Sequence, residues 1–362
     1  MESTTKNTSL ASIAGLFLKL GLTGFGGPAV HIAMMRTEVV ENRKWLTERE
    51  FLDLLGAVHL IPGPNSTELA IFIGYRLQRW KGLVLAGLCF ILPAFFIVLM
   101  LAMLYQKFGA IPDLNPILIG MRPVVISIVF LALLNFGKTA IFNLTTILVF
   151  LLSVFLSWFG LNELMIIFGL GLFSLLFNYF GPVKKLSLTP ELFIFFLKVG
   201  SVLFGSGYVL LAFLQKGLVE DLKWLTETQL LDAITIGQVT PGPIFTTATF
   251  IGYLINGFEG ATVSTIGIFL PSFILVALIA PFVVRLRTSK PLTEFIDGVN
   301  AASLGLMVIV LWQLAEKSLV NITSIFLGIL SLIILLKYKN INSVFLLIFG
   351  AFVGFFLSQL NN

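Results

Sequence analysis

The chain has 362 residues, of which 57% are hydrophobic and 11% charged, with a formal net charge of +5 and a mean hydropathy of +1.01. About a quarter of the residues in a soluble domain are charged, so this composition excludes one; so modest a positive charge fits basic cytoplasmic loops and does not argue for nucleic acid. A single cysteine, Cys89, excludes an internal disulfide framework and a cysteine metal site, and two histidines, His31 and His59, are too few for a histidine cage.

In chain order, the opening residues are polar and show neither a charged n-region nor a cleavage site. An apolar run then carries Lys19 and ends in a glycine-rich break, GLTGFGGP at 21–28, with His31 just beyond. The motif KWLTE follows at 44–48. Its Trp45 suits a membrane interface, and Thr47 three residues before Glu50 makes a capping box for a helix leading to Pro62-Gly63-Pro64. Asp53 precedes that motif by nine residues, as Asp232 precedes its copy at 241–243, and a cap or a contact with the Arg43 and Lys44 region accounts for both. Apolar runs of bilayer length, about 18 residues or more, come next at 83–104 and 117–136, and again at 262–284. Shorter ones at 147–159, 165–177 and 344–357 need their mostly uncharged flanks to span. These runs make the chain an integral membrane protein.

The second half repeats the first. NRKWLTEREFLDLLGAVHLIPGP at 42–64 returns as DLKWLTETQLLDAITIGQVTPGP at 221–243, with Pro62 on Pro241, Trp45 on Trp224, Asp53 on Asp232 and Lys19 on Lys198 at one offset (241 − 62 = 179). After Pro-Gly-Pro the register drops by one, so that Gly74 matches Gly252 and Pro93 matches Pro271 (271 − 93 = 178). This divides the chain into repeats 1–180 and 191–362, joined by a loop over 178–191. Loop charges orient the repeats, because Lys and Arg mark the cytoplasmic side. The loop 75–81 holds three cations where its counterpart 254–260 holds none, and the next pair reverses: 105–113 is nearly neutral and 285–290 basic. Equivalent loops therefore face opposite ways. The expected fold is an all-α polytopic membrane protein of two inverted repeats with about five spans each, in which one of the two broken segments, or each partly, enters the membrane without crossing it.

Proline lacks an N–H and stops a helix, and glycine permits the backbone conformations of a break. A restarted helix then offers up to four free N–H groups at the positive end of its dipole, a ready site for an anion. Duplicated broken helices are how many secondary transporters build a substrate site at the repeat interface. The substrate-binding candidates are Gly24, Gly26 and Gly27 with Pro62, Gly63, Pro64 and Asn65 in the first repeat, and Gly205 and Ser206 with Pro241, Gly242, Pro243 and Thr246 in the second. Lys19 and Lys198 either balance an anionic substrate or snorkel to the interface. Glu68 is a proton or cation coupling site, a partner for Lys19 or Arg122, or a cap of the restarted helix. Arg122 and His31 stand as coupling or gating candidates, against a snorkelling arginine and a hydrogen-bonded structural histidine. No His-Glu-x-x-His, Gly-x-Ser-x-Gly or P-loop marks an enzyme, and no cofactor is called for.

The motifs GFGGP at 24–28 with His31, Trp45-Leu46, Pro62-Gly63-Pro64-Asn65 and IGYR at 73–76 closely resemble the chromate transporter family in its long, duplicated form. FGSGY at 204–208, Thr240 to Pro243 and Ile251-Gly252-Tyr253 carry the resemblance through the second half, with Ser206 where the family pattern has glycine. The resemblance implies export of chromate across the cytoplasmic membrane, in exchange or competition with sulfate, and chromate resistance. Sulfate offers nearly the same shape and charge, so a carrier or channel for another such oxyanion is the alternative. The partners expected are that oxyanion and membrane lipid; assembly as a homodimer is left open.

Overall fold

The computed structural model describes residues 8–25, 27–58, 61–108, 115–141, 144–158, 188–203, 210–282, most of 302–338 and 343–360. Among these, every regular element is a helix. The first repeat contributes α1 (Leu10–Thr23), α2 (Pro28–Arg36, widening into a π-helical Thr37–Asn42), α3 (Glu48–Val58), α4 (Asn65–Phe108), α5 (Asn115–Ala140) and α6 (Leu144–Trp158). The second contributes α7 (Leu188–Val202), α8 (Leu210–Leu214, widening into Gln215–Asp221), α9 (Glu227–Val239), α10 (Thr247–Ile279), α11 (Ile322–Lys337) and α12 (Ser343–Leu360). The run 165–177, the inter-repeat loop up to residue 187, and His59, Gly26, Gly205, Ser206 and the basic stretch 285–290 lie outside the described residues.

The repeat is visible in the backbone. Both capping boxes form, Thr47 with Glu50 and Thr226 with Gln229. Lys44 and Lys223 hold φ of 53° and 54°, each just before a tryptophan whose N–H closes on the π segment, Trp45 on Val39 and Trp224 on Leu218. α4 and α10 are not single rods. Each bends back at non-helical residues, Gln78 and Arg79 in α4 and Asn256 and Gly257 in α10. Residues eight apart on a straight helix stand about 12 Å apart, yet a Cβ on Gly74 would lie 2.2 Å from the Gly82 carbonyl oxygen and one on Gly252 2.2 Å from that of Gly260. Two glycines thus meet backbone to backbone in each hairpin, and Thr249 and Thr265 hydroxyls bond across the second at 2.7 Å.

Ion pairs show where the short helices begin and end. Glu50, in the first turn of α3, pairs with Arg76 at the end of α4's first leg. Arg36 at the end of α2 pairs with Glu48 at the start of α3, and Gln78 at the hairpin tip donates to the Thr8 carbonyl ahead of α1. The start of α1, the end of α2, the start of α3 and the hairpin tip therefore share one end of the bundle, and both breaks lie at the far ends of these helices. α1 and the first leg of α4 are each about 20 Å long, short of the roughly 30 Å hydrocarbon core. Both broken segments of the first repeat enter and return. Asn256 donates to Thr189 in the second repeat, as Gln78 does at Thr8 in the first.

The long second legs cross antiparallel. The Phe273 ring fills the bare face of Gly87, and Phe95 and Leu99 pack with Ala261. In repeat register Phe273 is the copy of Phe95 and Ala261 the copy of Leu83 (273 − 178 = 95; 261 − 178 = 83). Early residues of one leg thus meet late residues of the other, which places the two-fold across the helices, the arrangement of an inverted repeat. α5 then lies against the second repeat. Gly120 approaches the Gly350 carbonyl and the Gly354 backbone of α12, a small-residue contact of the kind membrane helices use, and the Ser127 hydroxyl donates to the Gly328 carbonyl of α11 at 2.7 Å. Leu144, Leu148, Phe155 and Trp158 on α6, and Phe345, Phe352 and Phe356 on α12, are exposed at helical spacing, as lipid-facing stripes are. The chain is a multi-pass integral membrane protein.

Single cysteines at Lys44 and Lys223 should label with an impermeant thiol reagent from opposite faces of the membrane, in a Cys89→Ala background. Labelling of both from one face would contradict the inverted arrangement.

Candidate functional site

The four breaks meet in pairs across the repeats. The Gly63 N–H donates to the Leu203 carbonyl at 2.6 Å, and the Gly242 N–H donates to the Gly24 carbonyl at 2.9 Å. Leu203 is the copy of Gly24 and Gly242 that of Gly63 (24 + 179 = 203; 63 + 179 = 242), so these two bonds are one contact repeated by the two-fold. Each Pro-Gly-Pro is clamped onto the glycine-rich break of the other half. The reason is local: with no helical ladder at the break, its amides and carbonyls need partners within the protein.

Glycine is required at both motif centres. Gly63 and Gly242 have φ of 141° and 96°, and a Cβ on them would lie 2.2 Å from Glu68 Oε1 and 2.7 Å from the Ala94 Cβ respectively. Ala94 is the copy of Ser272 (272 − 178 = 94), so the second legs of α4 and α10 wall the two loops in the same way. Pro62, Gly63, Pro64 and Pro241, Gly242, Pro243 are all buried.

Two helix N-termini converge at the first break. Gly27, at φ 81°, starts α2 with Pro28 in its first turn, and Pro64 starts α4, its carbonyl accepting from the Thr67 and Glu68 amides. His31 joins them. Its Nε2 lies 2.8 Å from the Gly24 carbonyl and its Nδ1 3.3 Å from Ser66 Oγ. A carbonyl only accepts, so Nε2 carries the proton, and in the neutral ring Nδ1 accepts from the serine hydroxyl. The imidazole is 2% exposed and stands edge-on to Phe90. Asn65 is half-buried beside it.

Glu68, one turn into the restarted helix, is fully buried. Its Oε1 accepts from the Ser272 hydroxyl of the other repeat at 3.3 Å. Its Oε2, the Thr67 hydroxyl and the Gln238 amide nitrogen are buried without a hydrogen-bond partner. Orphaned polar atoms are rare in folded proteins and call for an explanation, an unplaced water or ligand among them. Glu68 does not pair with Lys19, whose partner is Glu38, or with Arg122, whose partner is Asp232; the Thr246 hydroxyl donates to the Pro243 carbonyl.

Lys19 is exposed and pairs with Glu38 at 2.7 Å, because α2 returns alongside α1 and brings Glu38 within reach. Lys198 is likewise exposed. Arg122 is drawn inward instead of snorkelling: its Nε and Nη2 donate to Asp232 Oδ1 at 3.0 and 2.7 Å, and the Tyr105 hydroxyl donates to Asp232 Oδ2 at 2.8 Å. Asp232 therefore departs from the sequence expectation of a cap or a contact with the KWLT region. Arg122 and Asp232 side chains are 12% and 3% exposed, and loss of one partner from such a buried pair costs about 3–5 kcal/mol. Sequence reasoning also missed Leu203 and Ser272; no motif marks either, since both act through their position in the other half.

Inverted repeats whose re-entrant helices break at the centre, with helix N-termini and unpaired polar groups gathered there, are an architecture that membrane transporters use. The model of the family described as "Chromate transporter" matches the chain twice, at residues 11–175 and 190–355. The protein belongs to that family. It is similar to the chromate transport protein of Cupriavidus metallidurans, 30% identical over 97% of this chain and 94% of that one. It is also 30% identical to a probable chromate transport protein of Synechococcus elongatus over 96% of this chain and 95% of that one. An uncharacterized transporter of Methanocaldococcus jannaschii is 28% identical over 97% and 95% of the two chains. No solved structure matches.

Gly63→Ala and Gly242→Ala each force a side chain into a positive φ and an occupied space. Each should lower the detergent melting temperature, with a strain of about 1–3 kcal/mol; an unchanged melting curve for both would contradict the clamp.

Proposed function

We propose that this protein is a secondary carrier that moves a tetrahedral oxyanion, chromate in the first place, outward across the cytoplasmic membrane. The observation that carries the proposal is the meeting of two helix N-termini, those of α2 and α4, tied by His31 and Ser66 at the first break. Free amides and the dipole there favour an anion. Chromate and sulfate present the same tetrahedron of acceptors, which suits donors such as the Asn65 side chain, the unpartnered Thr67 hydroxyl and the amides after Gly27, while Ser66 holds His31 in place. Gly24, Gly63 and the second Pro-Gly-Pro hold this frame, and Gly26, Gly205 and Ser206 are assigned to it by their motifs. The names of the relatives supply the choice of chromate.

Burial of both Pro-Gly-Pro motifs supports a carrier that closes over its substrate over a channel open at both ends. The end of the bundle holding Arg36, Arg43, Lys44, Arg49, Arg76, Arg79 and Lys81 is the basic one and is assigned to the cytoplasm. An inside-negative potential then drives a dianion outward, at about 2.3 kcal/mol per charge per 100 mV. Glu68 is the coupling candidate. An ionised carboxylate would repel the anion, so the two bind together when Glu68 carries a proton, which moves with the substrate.

Inside-out vesicles containing the protein should accumulate labelled chromate saturably, and excess sulfate should block uptake. His31→Ala or Ser66→Ala removes the bond that ties the two helix heads and should cut the rate about fivefold, the scale of one lost neutral hydrogen bond; wild-type uptake in both would remove the site from this break. Glu68→Gln, a standing substitute for the neutral acid, should keep chromate–sulfate exchange while losing the proton movement that accompanies uptake. Proton movement equal to wild type would remove Glu68 from coupling.

A further inference from the structure

Asp232, Arg122 and Tyr105 form the one strong buried charge cluster among the described residues that the substrate site does not use. Asp232 sits just over a turn into α9, the entering helix of the second repeat's second re-entrant pair. Arg122 stands early on α5 and Tyr105 near the end of α4, both in the first repeat. The guanidinium places two donors on one carboxylate oxygen and the phenol one on the other. The Tyr105 ring is held edge-on against Phe250 of α10, with centroids 5.2 Å apart. Three helices from two repeats are thus bolted at one point, close to the start of α9 and so at the end of the bundle opposite the basic one.

The two-fold does not reproduce this bolt. The copies of Tyr105, Arg122 and Asp232 are Val283, Asn300 and Asp53 (105 + 178 = 283; 122 + 178 = 300; 232 − 179 = 53). Valine and asparagine supply neither a cation nor a phenol, so the same lock cannot form at the basic end. An inverted-repeat carrier opens its two ends alternately by moving one repeat against the other. The contact between α9 and the α4–α5 corner must part for the far end to open.

We propose that Asp232, Arg122 and Tyr105 are the gate of the non-cytoplasmic end, closed in this conformation. The proposal rests on the carrier reading, but its test needs no flux. Asn65→Cys in a Cys89→Ala background places a thiol at the half-buried head of α4. In the resting protein an impermeant thiol reagent should reach it from the cytoplasmic side and only slowly from the other. Asp232→Asn and Arg122→Gln should each speed labelling from the non-cytoplasmic side by about tenfold, the population shift expected when a gate loses a bond of this kind. The exchange Arg122→Asp with Asp232→Arg should slow it again.

Tyr105→Phe keeps the ring on Phe250 and removes only the hydroxyl, so it should raise that labelling by a smaller factor, and it serves if the charge variants fail to insert. Unchanged sidedness in Tyr105→Phe and in every inserted charge variant would overturn the gate and leave the cluster a structural brace. Shifted sidedness, with no oxyanion moved by the protein that keeps Asn65, would keep the gate and overturn the substrate reading.

Discussion

An amide or carbonyl without a partner at membrane depth costs several kcal/mol, and this chain breaks its helices there in each repeat. The reciprocal bonds from Gly63 to Leu203 and from Gly242 to Gly24 meet that cost. Neither repeat can satisfy its own breaks, because the partner of each Pro-Gly-Pro glycine lies in the other half. The closed centre, the antiparallel crossing of the long legs and the burial of Glu68 all follow from the two halves being docked in this way.

The same constraint explains where the chemistry collects. Breaking a helix exposes N–H groups that the protein then aims at one another or at a substrate. Clamping the breaks together brings α2 and α4 head to head, with His31 bridging Gly24 and Ser66. Glycine at 63 and 242 is a packing requirement as much as a conformational one, since Glu68, Ser272 and Ala94 occupy the space a side chain would need. A site made from loops of both halves changes when the halves move, as an alternating carrier requires.

Charge is distributed by reach. Lys19 is equivalent to Lys198 in sequence, yet its partner is Glu38, which arrives only because α2 folds back beside α1. Arg122 reads in sequence like an interfacial arginine, and Asp232 like a cap or a contact for the basic residues ahead of its helix. They meet because α5 of one repeat lies against α9 of the other. Equivalent positions in the sequence therefore do not fix a charged residue's partner.

The membrane class, the duplication, its inversion and the two kinds of break were legible in the sequence, because composition, a fixed offset and loop charge survive without knowledge of contacts. Proline and glycine announce a break through local sterics, and Thr47 with Glu50 announces a cap, for the same reason: the interacting groups are close in the chain. The tertiary structure alone decided that both broken segments return, that the long apolar stretches at 65–108 and 247–279 are hairpins, and that each break is completed by the other repeat. It also chose among the charged residues, drawing Arg122 and Asp232 inside and leaving both lysines exposed. The completion of the breaks and the Arg122–Asp232 pair depend on residues that meet across more than a hundred positions of chain, and the returns and hairpins on contacts between helices, so no local pattern carries that information.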